Sequence, residues 1–205
     1  PRRSEIITGG AFVYADLMDS MGLKEYRYSP LGLRDGMLAQ MLAEADLRTS
    51  VHQKMESERW AGVLELCRRY NIEQRRTEPV RQHVAELFDA LGRVHELPAE
   101  YRLWLESAAM MQEAGKFMNH QGHHRHTQYI IANSEIFGFS PEQRVVVSAI
   151  ARYQGKTRPD PLDRLMRSIP AEEHAHVVRS VVLLRLAAAL NQDRASAIVK
   201  MRTHV

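Results

Sequence analysis

Apolar positions recur at helical spacing along most of this chain. Between 51 and 70, Trp60, Val63, Leu64 and Cys67 share one face of a predicted helix. The stretch 78–94 repeats the pattern with Val80, Val84, Leu87, Phe88 and Leu91. Pro98 suits the first turn of the next helix, which buries Tyr101, Leu105, Ala108 and Met111 and which Gly115 ends or bends. The segment 123–133 is short and apolar at Tyr129, Ile130 and Ile131. Ser140-Pro141-Glu142-Gln143 is a helix start, with serine as the cap, proline at the first position and Gln143 three residues after the cap. Lys156 to Pro161 reads as a loop. Pro170-Ala171-Glu172-Glu173 opens a last long helix through Leu183, Leu184, Leu186 and Leu190.

The first fifth follows a different pattern. Gly9-Gly10 precedes a helical run of Phe12, Leu17, Met18 and Met21, which Gly22 ends. Tyr26-Arg27-Tyr28-Ser29 alternates like a strand. Pro30 and Gly32 then turn the chain into a second helix over 33–45. The expected fold is mainly α: a small α/β piece at 1–45, then an all-helical domain. No internal repeat or low-complexity segment interrupts it.

Composition narrows the function classes. The 205 residues are 44% hydrophobic and 26% charged, which suits a globular domain with a sizeable core. A net charge of +3 is weak evidence for a polyanionic partner. Cys67 is the only cysteine, so an intrachain disulfide and a thiolate zinc cluster are excluded, and a reducing cytoplasm is expected. No apolar run approaches a membrane span and no signal peptide is visible, so no membrane partner is expected. No recognised nucleic-acid motif is present either. The ends, Pro1 and Met201-Arg202-Thr203-His204-Val205, read as if cut from something longer.

The candidate chemistry centres on Asn119-His120-Gln121-Gly122-His123-His124-Arg125-His126. Four histidines and an arginine in eight residues suit a metal or a phosphate. No carboxylate accompanies them, which argues against a metal. His123, Arg125 and His126, with Arg152 and Lys156 from a later basic stretch, are therefore the candidate phosphate or polyanion contacts. The competing reading makes His120 and His124 helix caps or carbonyl partners, and makes Arg152, Lys156 and Arg158 a solvated rim.

Separated histidines on helices also invite comparison with metal-dependent HD phosphohydrolases. Those use a histidine, then a His-Asp pair, then a late aspartate. His83 matches the first histidine, but Gln112-Glu113 stands at the pair and Ala188 at the late aspartate. The expectation is an HD-like framework without its metal set, with His83 as a packed remnant.

A closer resemblance runs through the chain in order. Gly32-Leu33-Arg34-Asp35-Gly36-Met37-Leu38, and the preceding Arg2-Arg3-Ser4-Glu5-Ile6-Ile7-Thr8-Gly9-Gly10, resemble segments of the exopolyphosphatase and guanosine pentaphosphate phosphohydrolase family. Gly122-His123-His124-Arg125-His126-Thr127-Gln128-Tyr129-Ile130-Ile131 is similar to that family's histidine-rich segment. Arg152-Tyr153-Gln154-Gly155-Lys156 resembles its basic segment, with Gln154 departing from a histidine. Leu184-Arg185-Leu186-Ala187 through Asn191-Gln192-Asp193-Arg194 resembles its late helix.

The resemblance implies an actin-like (ribonuclease H-like) lobe ending at 45, an HD-like helical domain over 46–198, and the start of a further segment at 199–205. It implies a cytoplasmic homodimeric enzyme that removes terminal phosphate from polyphosphate or guanosine pentaphosphate. Magnesium is implied for the whole enzyme, with no cofactor held by this part. The family's glycine-rich loops and catalytic carboxylates precede the matched region, so no catalytic residue is assigned here and the chain alone is expected to be inactive. The alternatives are a stand-alone metal-dependent HD phosphohydrolase and a non-enzymatic helical binding module.

Overall fold

The structure, a computed structural model, describes residues 2–25 and 50–192 together with positions 33, 36–38, 40 and 41. The chain divides into two compact units, 1–52 and 53–205. Among the described residues the regular structure is entirely helical.

In the first unit α1 spans Arg2–Met21. It runs straight through Gly9-Gly10, ahead of which the sequence pattern starts no helix. The two glycines weaken it by roughly 1 kcal/mol each relative to alanine. It ends where expected, with the Leu23 N–H donating to the Met18 carbonyl beside Gly22. Ile7, Phe12, Val13, Tyr14 and Met21 are exposed. Positions 33, 36–38, 40 and 41 are helical, as expected of the second helix. The strand-like Tyr26–Ser29 stretch, Arg34, Asp35 and the tail at 199–205 lie outside the described residues.

From α2 (Ser50–Arg69) onward the chain builds a helical bundle. It continues through α3 (Gln74–Ala90), α4 (Glu100–Met111), α5 (His123–Asn133), α6 (Pro141–Tyr153) and α7 (His174–Leu190). The helix α4 is central. From Trp104 to Met111 every residue is buried, so its apolar surface wraps all round. It packs against α3, α6 and α7, while α5 packs against α6 and against a 3-10 turn at Ala114–Phe117. On α2, Val63, Leu66 and Cys67 enter the core, and the Cys67 thiol lies 3.8 Å from the Met110 carbonyl. Burial pushes that thiol up to about 12, so it stays protonated and unreactive at neutral pH.

Local signals explain the boundaries that matched. The cap at Ser140 forms as read: its hydroxyl accepts from the Gln143 N–H at 3.3 Å, and the Gln143 side chain accepts from the Ser140 N–H at 3.0 Å. Tertiary packing explains those that moved. The helix α3 starts a turn before Pro79, because Thr77 in that first turn is fully buried. It stops at Ala90, and Gly92–His95 forms a separate turn. There His95 is held from both sides: Nδ1 accepts from the Leu97 N–H at 2.9 Å, so Nε2 donates to the Phe88 carbonyl at 2.8 Å. Ahead of α7, Ala171–Glu173 is a 3-10 turn, where Glu173 accepts a hydrogen bond from the buried Tyr101 hydroxyl.

Candidate anion-binding cleft

Where α4 ends, the chain turns sharply through Ala114–Phe117 and re-enters as α5. Gly115 permits that turn. A β-carbon at Gly115 would sit 2.0 Å from the His123 carbonyl oxygen and 2.5 Å from the Thr127 nitrogen. Its N–H donates to the Thr127 hydroxyl at 2.9 Å, and that hydroxyl donates to the Gln112 carbonyl at 3.1 Å. Thr127 thereby clamps the first turn of α5 onto the end of α4. The consequence is that His123 and His124 face Gln112, Glu113 and Lys116.

The far wall comes from α6 and α7. Arg185, on α7, donates from Nε to the Tyr153 carbonyl at 2.9 Å and from Nη2 to the Gly155 and Thr157 carbonyls at 2.5 Å each. This fixes the loop after α6 and sets Lys156 on the rim. Gly155 lets the loop lie against the histidine helix, since a β-carbon there would come within 2.5 Å of the His124 ring. The walls form a cleft of about 520 Å³, whose lining includes Lys116, His123, His124, Lys156 and Arg185 together with Gln112, Glu113 and Ala188.

The electrostatics are cationic. Glu113 pairs with Lys116, while among the described residues no carboxylate pairs with Lys156 or Arg185. The histidines stay neutral. Burial, then the neighbouring His124 and Lys116, lowers His123 to about 4, and burial with Lys116 and Arg185 lowers His124. Their rings lie 3.9 Å apart between centroids, and each Nδ1 is buried without a hydrogen-bond partner among the described residues.

This makes a stability prediction. The unfolded imidazole takes up its proton near the ordinary 6.5, and folded His123 only near 4. Between those values the unfolded state binds more protons, so stability is full above 6.5 and is lost as pH falls toward 4. Urea denaturation from pH 7 to 4 should show this slope, and His123→Gln should flatten it. An unchanged profile in that variant would assign the slope to other groups.

The five candidate residues do not share one site. His123 and Lys156 line the cleft. Arg125 is exposed and His126 half-buried, and neither lines it. Arg152 belongs to a second cleft of about 530 Å³ with Gln128, Tyr129, Asp163 and Arg164. There it pairs with Asp163 at 3.4 Å and lies over the Tyr153 ring. Sequence reasoning missed Lys116 and Arg185. A usable signal existed for Arg185, a lone charge in the apolar run of α7.

Gln112 and Ala188, the positions at which the HD comparison loses its ligands, both line the first cleft. His83 is buried on α3 and does not line it. The Ala188 methyl group cannot ligate a metal and an amide oxygen is a weak ligand, and among the described residues no group of three or more His, Cys, Asp or Glu is placed to hold one. Also among the described residues, no helix is long and apolar enough to cross a membrane.

A mainly α domain with a cationic cleft at the end of its central helix is thus the class that fold and site define. Residues 59–205 match the family model described as Ppx/GppA phosphatase, domain III, and the chain belongs to that phosphatase family.

Proposed function

We propose that this chain is the C-terminal, helical part of an exopolyphosphatase-like hydrolase that removes terminal phosphate from polyphosphate or guanosine pentaphosphate. Its part is to hold the polyanion and to support a cytoplasmic homodimer. The observation that carries the reading is the pairing of the family match over 59–205 with a cleft whose cations outnumber its acids. Hydrolysis itself is assigned to no residue of this chain. Exposed Val178, Val182 and Leu186, spaced four residues apart on α7, offer an apolar stripe that suits a second copy.

The test is a titration of the chain with long-chain polyphosphate. Binding should be measurable at 50 mM salt and weaken on the order of tenfold by 300 mM, because screening weakens exposed charge contacts. Absence of binding at low salt overturns the reading. Because His123 and His124 are neutral, affinity should change little between pH 8 and pH 6.5 through these two groups.

A further inference from the structure

We propose that the second cleft, between α5, the end of α6 and the turn Arg164–Arg167, is a docking site for an acidic peptide segment of a partner protein. Arg152 takes a carboxylate of that segment, and Tyr129 takes the apolar side chain beside it. Among the described lining residues this cleft shares none with the one at the end of α4, and the proposal does not depend on the polyanion reading.

Three features support it. The first is an arginine held in place with donors to spare. Arg152 stands in the last turn of α6, and its side chain is 18% exposed. Its Nε is buried without a hydrogen-bond partner among the described residues, and its Nη2 meets Asp163 only at 3.4 Å. Asp163 is engaged elsewhere: it accepts from the Tyr153 hydroxyl at 2.7 Å and from the Leu165 N–H at 3.4 Å. A mostly buried guanidinium with so long an ion pair gains from a second carboxylate. The Tyr153 ring, 5.6 Å from the guanidinium carbon, limits its travel, so little side-chain entropy is lost on binding. The second feature is charge. Arg164 lines the cleft and is exposed, and Arg125 is exposed four residues before Tyr129, on the same face of α5. Asp163 is the single acid among the described lining residues, so cleft and rim together are net positive and draw an acidic chain. The third feature is apolar surface. The Tyr129 ring is 62% exposed at the cleft wall, Leu165 lines it, and Leu162 is exposed beside it in the chain. Tyrosine and arginine around one pocket are the side chains that carry most binding energy at protein interfaces.

The apolar wall decides what kind of anion fits. A phosphate chain has no apolar surface to bury against Tyr129 and Leu165, whereas a peptide with an apolar residue beside its acid has. At about 530 Å³ the cleft has room for an anchor side chain and its neighbour. Arg125 and Arg152, which the first cleft leaves out, thereby share one surface.

The experiment is fluorescence anisotropy of the whole chain with a labelled, end-capped peptide that alternates glutamate and leucine. Saturable binding is expected, about tenfold weaker for a glutamate–serine peptide and for a glutamine–leucine peptide. Tyr129→Ser and Arg164→Glu should each weaken the first peptide about fivefold or more, and Arg152→Gln about tenfold or more. Tyr129 and Arg164 are exposed, so their variants carry the test if Arg152→Gln does not fold. No binding of the glutamate–leucine peptide overturns the proposal. So does equal binding of the glutamate–serine peptide, which reduces the site to charge attraction, and so does unchanged affinity in the folded variants. Two other occupants have their own signatures. Long-chain polyphosphate whose affinity falls in Tyr129→Ser would make this cleft part of a polyanion track. A mass by light scattering that falls in the same variant would place a second copy of the chain on this face. Either result overturns the peptide assignment.

Discussion

Gly115→Ala should lower stability by about 3 kcal/mol or more and remove the cleft with it. The added methyl group would lie 2.0 Å from the His123 carbonyl oxygen and 2.5 Å from the Thr127 nitrogen. Both are backbone atoms of the first helical turn of α5, so no side-chain rotation relieves the overlap. The helix must move away from α4, which breaks the Gly115–Thr127–Gln112 hydrogen-bond relay. A loss of that size corresponds to a fall in Tm on the order of 10 °C for a domain of this length. Thr127→Val isolates the relay from the overlap. It leaves the Gly115 N–H and the Gln112 carbonyl without that partner in a buried place, at a cost of about 2 kcal/mol. Thermal unfolding of the two variants checks the ranking. A Gly115→Ala protein within about 1 kcal/mol of wild type would mean that α5 slides freely on the turn.

The elements legible in the sequence are those that local chemistry decides. Ser140, Pro141 and Gln143 specify their helix start among themselves, three residues apart. The histidine segment stands out in the sequence for the same reason, because its residues are contiguous. Which of them would meet was not. Successive residues are roughly 100° apart on a helix, so Arg125 points roughly 200° away from His123. The cleft accordingly takes His123 and His124 and leaves Arg125 in solvent. Lys116 and Arg185 lie far apart in the chain and converge only through the clamp at Thr127 and the carbonyl contacts of Arg185. Pairing of that kind is decided by tertiary packing and leaves no periodic trace. Arg152 shows the converse. It belongs to the same basic motif as Lys156, yet Asp163, eleven residues on, draws it into another cleft.

The second large effect is expected at Glu106. Its carboxylate is 8% exposed on α4, and it accepts from Arg81 and from Arg102 at 2.5 Å each. Arg81 reaches from α3, bonds Glu78 as well, and lies over the Trp60 ring of α2 at 5.4 Å. Arg102 bonds Asp89 at 2.9 Å and holds that carboxyl below its usual range. One buried acid therefore ties three helices together through two arginines that repel each other. Glu106→Ala leaves those two guanidiniums facing one another without the charge between them. Breaking a buried pair this way costs about 3–5 kcal/mol, and the low end is expected because Glu78 and Asp89 remain. Glu106→Gln keeps the shape and an acceptor, so it should lose roughly half as much. Replacing the whole cluster tests the cause. Glu106→Leu combined with Arg81→Met and Arg102→Met should recover most of the stability, since the penalty lies in the stranded charges rather than in the loss of attraction. Urea denaturation of the three proteins decides it. A triple variant as unstable as Glu106→Ala would show that the network contributes net attraction of its own.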